Sequence, residues 1–259
     1  MTDDSSRDRS PCRPREPPIA DGGQPGRADS GDAALGVLLL DTAFDRVPGD
    51  VGNPASYDYP VCLETVPGAD PERVVRAGDT DPALVDPFVD AARRLVDRGA
   101  VAVVTSCGFL LPYQTTLAER IEVPLFTSSL LQLPLVASTL ASDRRIGVLS
   151  ADERSFARLS HPVLSAHADR LVVEGLAESR PFQRVFVEER RERPDEGAVG
   201  DDVVAAVERL LDRDVGALLF ECTNLRPYLG RVRDVTDLPV YDYLTLADLA
   251  WRAAGGHHG

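Results

Sequence analysis

The feature that most constrains this chain is an ungapped internal repeat. A shift of 115 residues, the difference between positions 107 and 222, superposes Cys107 on Cys222 and Tyr113 on Tyr228. The same shift matches a series of flanking residues, namely Arg94, Leu95, Asp97, Arg98, Pro112 and Pro124 with Arg209, Leu210, Asp212, Arg213, Pro227 and Pro239. Near the start of each half, LGVLLLD at 35–41 aligns with IGVLSAD at 146–152 under a shift of 111, which takes position 36 to 147. Such a repeat predicts two similar lobes.

Short apolar runs alternate with amphipathic segments along both halves. Runs of strand length occur at 35–40, 61–66, 100–104 and 123–126, and again at 145–150, 170–175, 216–220 and 238–242. Segments between them, such as 87–99 and 202–214, repeat apolar positions every three or four residues, as amphipathic helices do. Apolar strands flanked by helices indicate parallel sheets covered on both faces. The predicted fold is α/β, with two similar doubly wound parallel-sheet lobes related by a pseudo-twofold and an active site in the interlobe cleft.

The same pattern predicts the domain boundaries. Residues 1–32 are polar and rich in proline and charge, which is typical of a disordered tail. Residues 33–142 form the first lobe, which we expect a C-terminal helix at 243–254 to complete. Residues 143–242 form the second lobe.

Composition excludes several classes of protein. The net charge of −14, with no basic cluster, predicts that no nucleic acid is bound. The chain contains no lysine, which excludes a pyridoxal-phosphate Schiff base and a Walker A phosphate loop. No Cys/His spacing indicates a zinc site. No apolar run approaches the roughly 20 residues that span a bilayer, and no secretory h-region is present near the N-terminus, so we expect a cytoplasmic protein without membrane contact.

Two cysteines occupy places suited to chemistry. Cys107 and Cys222 each follow an apolar strand and precede a predicted helix, in AVAVVTSCGFLLPY and GALLFECTNLRPY. Parallel sheets bind ligands at this edge, where backbone N–H groups can lower the pKa of a thiol enough for it to act as a base. Two lobes related by a twofold would present the thiols to opposite faces of one substrate carbon. Removal of a proton from one face and its return to the other requires that arrangement.

The alternative for either cysteine alone is simple packing, because free cysteine is among the most buried residue types. Here two cysteines share one repeat position and both lie among serine, threonine and asparagine, which favours a functional pair. The nearest donors for the oxygen atoms of a carbanion intermediate are Thr105, Ser106, Thr223 and Asn224, with the backbone N–H groups around Gly108.

The two strand–cysteine turns, the Cys222-Thr223 dipeptide and the duplicated lobes resemble the aspartate/glutamate racemase superfamily over residues 35–253. The resemblance implies an isomerase: a PLP-independent racemase or epimerase in which Cys107 and Cys222 alternate as base and acid on a small carboxylate substrate, such as an amino acid or a derivative. It also implies that no cofactor or metal is needed and that the protein forms a homodimer.

This chain departs from the glutamate racemases at both turns. They carry Cys-Asn-Thr and Gly-Cys-Thr-His, whereas this chain has Thr-Ser-Cys-Gly and Glu-Cys-Thr-Asn, so the helper histidine is missing. Glu221 stands where glycine is usual, and its side chain lies either close to the second thiol or away from the cleft. Asp41 occupies the place of an acidic residue beside the first cysteine, or caps a helix.

Further candidate substrate contacts follow the first strand of each lobe. Asn53 and Tyr57 belong to the Gly/Pro-rich loop at 41–60, and long loops at this edge often carry function. Ser150 ends the equivalent strand of the second lobe. The competing roles for these residues are turn formation and helix capping.

Two other functions remain open. A decarboxylase or cis-trans isomerase of a related dicarboxylate would depend mainly on one thiol. A non-catalytic metabolite-binding protein could use the same fold, since fold does not dictate activity. Single Cys→Ser variants separate the first alternative from a racemase, which needs both thiols, and ligand binding without solvent deuterium exchange would identify the second.

Overall fold

The computed structural model describes residues 33–76, 80–188 and 193–255, so the predicted tail at 1–32 lies outside the described residues. The strands are β1 Ala34–Leu40, β2 Val61–Val66, β3 Ala100–Thr105, β4 Leu125–Phe126, β5 Arg145–Ser150, β6 Leu171–Gly175, β7 Val215–Phe220 and β8 Val240–Tyr241. The helices are α1 Val85–Asp97, α2 Gln114–Ala118, α3 Leu133–Thr139, α4 Glu153–Phe156, α5 Pro162–Ser165, α6 Arg180–Phe186, α7 Glu196–Leu211, α8 Leu229–Arg233 and α9 Tyr243–Ala253. Short 3-10 helices lie between them, and Glu72–Arg76 forms a π-helix.

The strands form two parallel sheets with the same topology. Their orders are β2-β1-β3-β4 and β6-β5-β7-β8. Even an irregularity is repeated, because the register shifts between Ala34 and Leu35 in one sheet and between Arg145 and Ile146 in the other. The predicted α/β fold with two similar lobes is confirmed. The exact domain boundaries stay a prediction.

The repeat read from the sequence is reproduced element by element. β3 and β7, β4 and β8, and α2 and α8 are each displaced by 115 positions. An ion pair on the surface is repeated as well. Arg94 contacts Glu64 at 2.6 Å in the first lobe, and Arg209 contacts Glu174 at 2.8 Å in the second. Such exposed pairs add little stability, but they show that both lobes place α1 and α7 on the sheet in the same way.

Helix α9 packs on the first sheet although it follows the second in sequence. Its apolar face covers a cluster on β1 and β3 that consists of Leu35, Val37, Ala102 and Val104. The helix begins in a capping box in which Asp242 and Thr245 exchange hydrogen bonds. Trp251 stacks on Tyr59 with ring centroids 5.0 Å apart. The chain therefore returns to its first sheet after completing its second.

The remaining core is continuous between the lobes. Buried residues of β1, β3, β5 and β7 belong to one apolar cluster. Within the part of the chain that the structure describes, no helix has the length and apolar character to cross a membrane.

Candidate active site

A small cavity lies between the lobes at the carboxyl ends of the strands. Its first-lobe wall consists of Leu40, Thr42, Phe44, Arg46, Pro71, Val75, Ser106, Cys107, Gly108 and Phe109. Its second-lobe wall consists of Ala151, Phe182, Phe186, Val187, Glu221, Cys222, Thr223 and Asn224. Both cysteine turns thus face one cavity, in the interlobe position predicted from the sequence.

The two cysteine turns have the same local structure. Cys107 and Cys222 have extended backbone and each begins a 3-10 helix, at Gly108–Tyr113 and Thr223–Tyr228. The turns are joined directly, because the Thr223 hydroxyl donates a hydrogen bond to the Ser106 carbonyl at 2.9 Å. Ser106 is fixed in its own lobe, where its hydroxyl accepts from the Leu40 N–H at 2.9 Å. Relative placement of the thiols is therefore set by hydrogen bonds between the lobes.

Both thiols are held in the neutral form in the resting site. Burial raises the pKa of Cys107 and of Cys222, and the negative charge of Glu221 raises both further. The backbone N–H groups of Phe109 and Asn224 act in the opposite direction on their respective thiols. The effect of burial is larger than that of the backbone N–H groups. A thiolate therefore forms only when another group takes the proton or a cation enters the cavity.

Glu221 points into the cavity. Its side chain is completely buried, and Oε2 accepts hydrogen bonds from the Ser150 hydroxyl at 2.8 Å and the Ala151 N–H at 3.4 Å. Oε1 has no hydrogen-bond partner among the residues that the structure describes. Of the two orientations that the sequence left open, the structure shows the one close to the thiols.

The other end of the cavity wall is aromatic. The rings of Phe186 and Phe44 meet edge to face, with centroids 5.0 Å apart. The centroids of Phe186 and Phe182 are 4.8 Å apart. The Arg46 guanidinium lies over the Phe44 ring at 4.9 Å and is paired with Asp50 at 2.8 Å. An arginine, a set of phenylalanine rings and a buried carboxyl group therefore surround the same small space.

Seven of the predicted site residues line the cavity, and five do not. Those in the wall are Ser106, Cys107, Gly108, Glu221, Cys222, Thr223 and Asn224. Thr105 and Ser150 lie behind it, where the Thr105 hydroxyl donates to the Thr127 carbonyl at 2.8 Å and Ser150 supports Glu221. The roles of the seven as catalytic or substrate-binding groups stay predictions.

The other three residues make local hydrogen bonds outside the wall. Asp41 is exposed and accepts from the Gly68 N–H at 3.1 Å. The Asn53 side chain accepts from the Ala55 N–H at 2.8 Å, capping a short 3-10 helix. The Tyr57 hydroxyl is buried and donates to the Val51 carbonyl at 2.6 Å.

The phenylalanines of the wall were missed by sequence reasoning. Phe182 and Phe186 lie on α6, at positions that the shift of 111 residues pairs with Pro71 and Val75 of the first-lobe wall. Their spacing of four residues on a short helix was the available signal. Within the described ranges, no group of three or more His, Cys, Asp or Glu side chains is placed to hold a metal ion.

Comparison with solved structures defines the class of fold. Unliganded arylmalonate decarboxylase superposes with a TM-score of 0.55 and 20% identity, covering 86% of this chain and 93% of that one. Glutamate racemase RacE1 from Bacillus anthracis superposes with a TM-score of 0.51 and 18% identity, covering 86% of this chain and 80% of that one. An aspartate racemase homologue from Pyrococcus horikoshii superposes with a TM-score of 0.54 and 13% identity, covering 86% of this chain and 99% of that one. The chain has the fold of the aspartate/glutamate racemase superfamily, as the sequence resemblance predicted.

Sequence relatives define the family within that class. No family profile matches the chain. A dimethylsulfoniopropionate lyase from Durusdinium sp. clade D is 32% identical over 224 residues, which cover 83% of this chain and 73% of the relative. Dimethylsulfoniopropionate lyase 3 from Emiliania huxleyi is 30% identical over 223 residues, covering 82% of this chain and 57% of the relative. The chain belongs to the family of these dimethylsulfoniopropionate lyases.

The prediction of a racemase, and with it of an isomerase, is therefore wrong. The relatives are lyases, and a lyase is closer to the decarboxylase that the sequence left as an alternative. The physical reason is that two thiols at strand ends indicate removal of a proton from a substrate carbon, while the carboxylate beside that carbon was implied only by the resemblance. They do not indicate whether the resulting carbanion is reprotonated or expels a neighbouring group.

Proposed function

We propose that this protein is a lyase that eliminates dimethyl sulfide from dimethylsulfoniopropionate. The observation that carries the proposal is the composition of one cavity, in which two free thiols and phenylalanine rings from both lobes face the same space. Membership of the lyase family supplies the substrate. The chain spans 57% of the length of the Emiliania huxleyi lyase, so the activity of the whole relative is carried over here as a proposal.

The elimination uses the proton step that the sequence predicted. A thiolate takes a proton from C2, next to the carboxylate, and forms an S–H bond. The C2–H electron pair becomes the C2–C3 double bond, and the C3–S bond breaks with its electrons on sulfur. Neutral dimethyl sulfide and acrylate are formed, and the leaving group needs no proton. One base on one face of the substrate is therefore enough, whereas racemisation requires two.

The aromatic wall suits the sulfonium end of this substrate. A cation over a phenylalanine ring gains roughly 0.5–2 kcal/mol, with the larger values where water is excluded. Phe44, Phe182 and Phe186 are all buried and line the cavity. The methyl groups of a sulfonium also favour an apolar surface over water.

Two polar groups of the wall are available for the carboxylate end. Arg46 carries a positive charge at the cavity, although Asp50 shares it. The Asn224 side chain is buried, and its Oδ1 has no hydrogen-bond partner within the described residues. An amide that turns its NH2 group to a substrate carboxylate makes a hydrogen bond that strengthens as charge develops on the oxygens.

The test is release of dimethyl sulfide and acrylate from dimethylsulfoniopropionate by the purified protein, followed by proton NMR. We expect Cys107→Ser and Cys222→Ser to be unequal, with the variant that lacks the base reduced by about 100-fold or more. The double variant is the matched control for background elimination. Release by the unaltered protein no faster than by the double variant would refute the proposed function. Full activity in both single variants would show that neither thiol acts as the base.

A cytoplasmic location and a homodimer stay predictions.

A further inference from the structure

Glu221 is a buried ionisable group that the elimination has not yet used. It directly precedes Cys222 and is completely buried in the cavity wall. One carboxyl oxygen is held by Ser150 and Ala151, and the other has no hydrogen-bond partner in the described part of the chain. An unpaired buried oxygen is costly, so a fold that keeps one at a reactive site points to a partner acquired during function.

The side chain also reaches the cysteine turn of the other lobe. A Cβ atom placed on Gly108 would lie 2.1 Å from Glu221 Oε1 and 2.5 Å from the Glu221 carbonyl oxygen. The carboxyl group thus rests against the residue that follows Cys107, while its own backbone leads into Cys222. Its negative charge raises the pKa of both thiols.

We propose that Glu221 is the proton acceptor that converts the reacting thiol into a thiolate. This inference rests on the proposed function. The carboxylate takes the thiol proton, so that an S–H bond breaks and an O–H bond forms. The thiolate then takes the C2 proton and becomes a thiol again, while dimethyl sulfide leaves with the C3–S electron pair. Glu221 finally releases its proton to solvent, and one proton is released for each substrate consumed.

The electrostatics of Glu221 suit this cycle. Its pKa is raised to about 7, chiefly by burial and also by the charge of Asp152, while the hydrogen bonds from Ser150 and Ala151 act in the opposite direction. A base whose pKa lies near the working pH accepts and releases protons most effectively. The titratable groups that act on Glu221 or respond to it are Asp152, Cys107, Cys222 and the buried Tyr243 of α9.

Two measurements on Glu221→Gln, thiol alkylation and turnover, test this role. A purely electrostatic role of Glu221 predicts the opposite change in turnover. Glu221→Gln keeps the size of the side chain and an oxygen that can accept from Ser150. It removes the negative charge, so the pKa of both thiols falls and their alkylation at pH 8 becomes faster. Turnover would also rise if Glu221 did no more than disfavour the thiolate. It falls if Glu221 takes the proton.

The experiment measures both quantities on Glu221→Gln, with Glu174→Gln as the matched control. Glu174 belongs to the same lobe but pairs with Arg209 on the surface, outside the cavity wall. Dimethyl sulfide release is followed between pH 5.5 and 9. Alkylation of Cys107 and Cys222 by iodoacetamide is followed separately by peptide mass spectrometry.

For Glu221→Gln we expect kcat to fall by about 100-fold or more and the acid limb of the rate profile near pH 7 to disappear. We expect alkylation at pH 8 to accelerate and KM to change by less than about threefold. The control should match the unaltered protein. Turnover that is retained, or turnover and alkylation that fall together as in a damaged cavity, would overturn the proposal.

Failure of the proposed function is recognised separately. If the unaltered protein releases no dimethyl sulfide, the proposed function falls, and the role of Glu221, which rests on it, falls with it. If the unaltered protein releases dimethyl sulfide and Glu221→Gln releases it equally fast, only the role of Glu221 falls.

Discussion

Gly108 and Glu221 meet where the two cysteine turns approach each other. Gly108 belongs to the first lobe and Glu221 to the second, and the carboxyl group fills the space that a side chain at position 108 would take. The glycine is therefore needed for the close approach of a neighbouring group, since its φ is not in the left-handed region. A residue without a side chain in one lobe admits a charged side chain from the other.

Gly108→Ala should damage this contact. The new methyl group would meet the Glu221 backbone as well as its carboxyl group, so we expect a stability cost of about 1–3 kcal/mol and a loss of kcat/KM of at least about tenfold. Gly230→Ala is the control, because Gly230 sits in α8 and no atom of the described residues lies within 4 Å of its added Cβ. There alanine should stabilise by roughly 0.5–1 kcal/mol. Urea denaturation and dimethyl sulfide release compare the two, and equal stability and activity would contradict this account.

Among the elements, α6 does most to distinguish the two lobes. It begins at Ser179, whose hydroxyl accepts from the Phe182 N–H and donates to Asp202 of α7 at 2.6 Å. The helix is thereby anchored to α7 while it presents Phe182 and Phe186 to the cavity. The corresponding stretch of the first lobe contains the π-helix Glu72–Arg76 and a 3-10 helix instead.

Phe186→Leu should weaken binding of a cation more than binding of a neutral molecule of the same shape. We expect KM for dimethylsulfoniopropionate to rise about fivefold, as loss of roughly 1 kcal/mol of cation–π attraction predicts. Inhibition by 4-methylpentanoate, which replaces the sulfonium with carbon, should change by less than about twofold. Phe156→Leu is the control, because Phe156 is buried in the same lobe but does not line the cavity. Equal effects on substrate and inhibitor would argue against recognition of the charge.

The sequence predicted the strands and the cysteine turns of both lobes and missed the side chains that α6 brings to the cavity. The strand ends, the cysteine turns and the 115-residue register could be predicted from the apolar pattern and the internal repeat. Both depend on local sequence and on which residues are buried. Position 221 was recognised as unusual, but its orientation depended on Gly108 of the other lobe. Asn53 and Tyr57 are of types that serve equally in turns and in binding, and here both make local hydrogen bonds. Phe182 and Phe186 became candidates only when folding brought α6 to the cavity.

For the whole molecule, the buried carboxyl of Glu221 ties stability to pH. Its pKa is about 7 in the folded protein against an ordinary value of 4.5. Between these values the folded protein holds a proton that the unfolded chain has released, so stability falls as pH rises from 4.5 to 7 and the loss is complete above 7. The pKa difference corresponds to a contribution of about 3 kcal/mol.

Glu221→Gln should remove this contribution. We expect the variant to gain up to about 3 kcal/mol relative to the unaltered protein between pH 5 and pH 8, since only the unaltered protein loses stability through this group. Urea denaturation at the two pH values measures the difference. An offset between the two proteins that is the same at both values would show that Glu221 titrates normally.

The reaction class lay beyond sequence reasoning for a reason that also belongs to the whole molecule. Two lobes that bring two thiols to one cavity serve any chemistry that begins with a proton beside a carboxylate. The fate of the carbanion depends on what leaves, and the leaving group is a property of the substrate.

The position of α9 at the end of the chain means that the two lobes can be completed at different times during synthesis. β1 and β3 are synthesised early, but the cluster of Leu35, Val37, Ala102 and Val104 packs against α9 as well as against Val51, Tyr57 and Tyr59 of the loop after β1. By the time α9 emerges from the ribosome, all four strands of the second sheet have been made. The half of the repeat that is translated first is therefore completed last, because α9 can pack on its sheet only after the strands of the other half have been made.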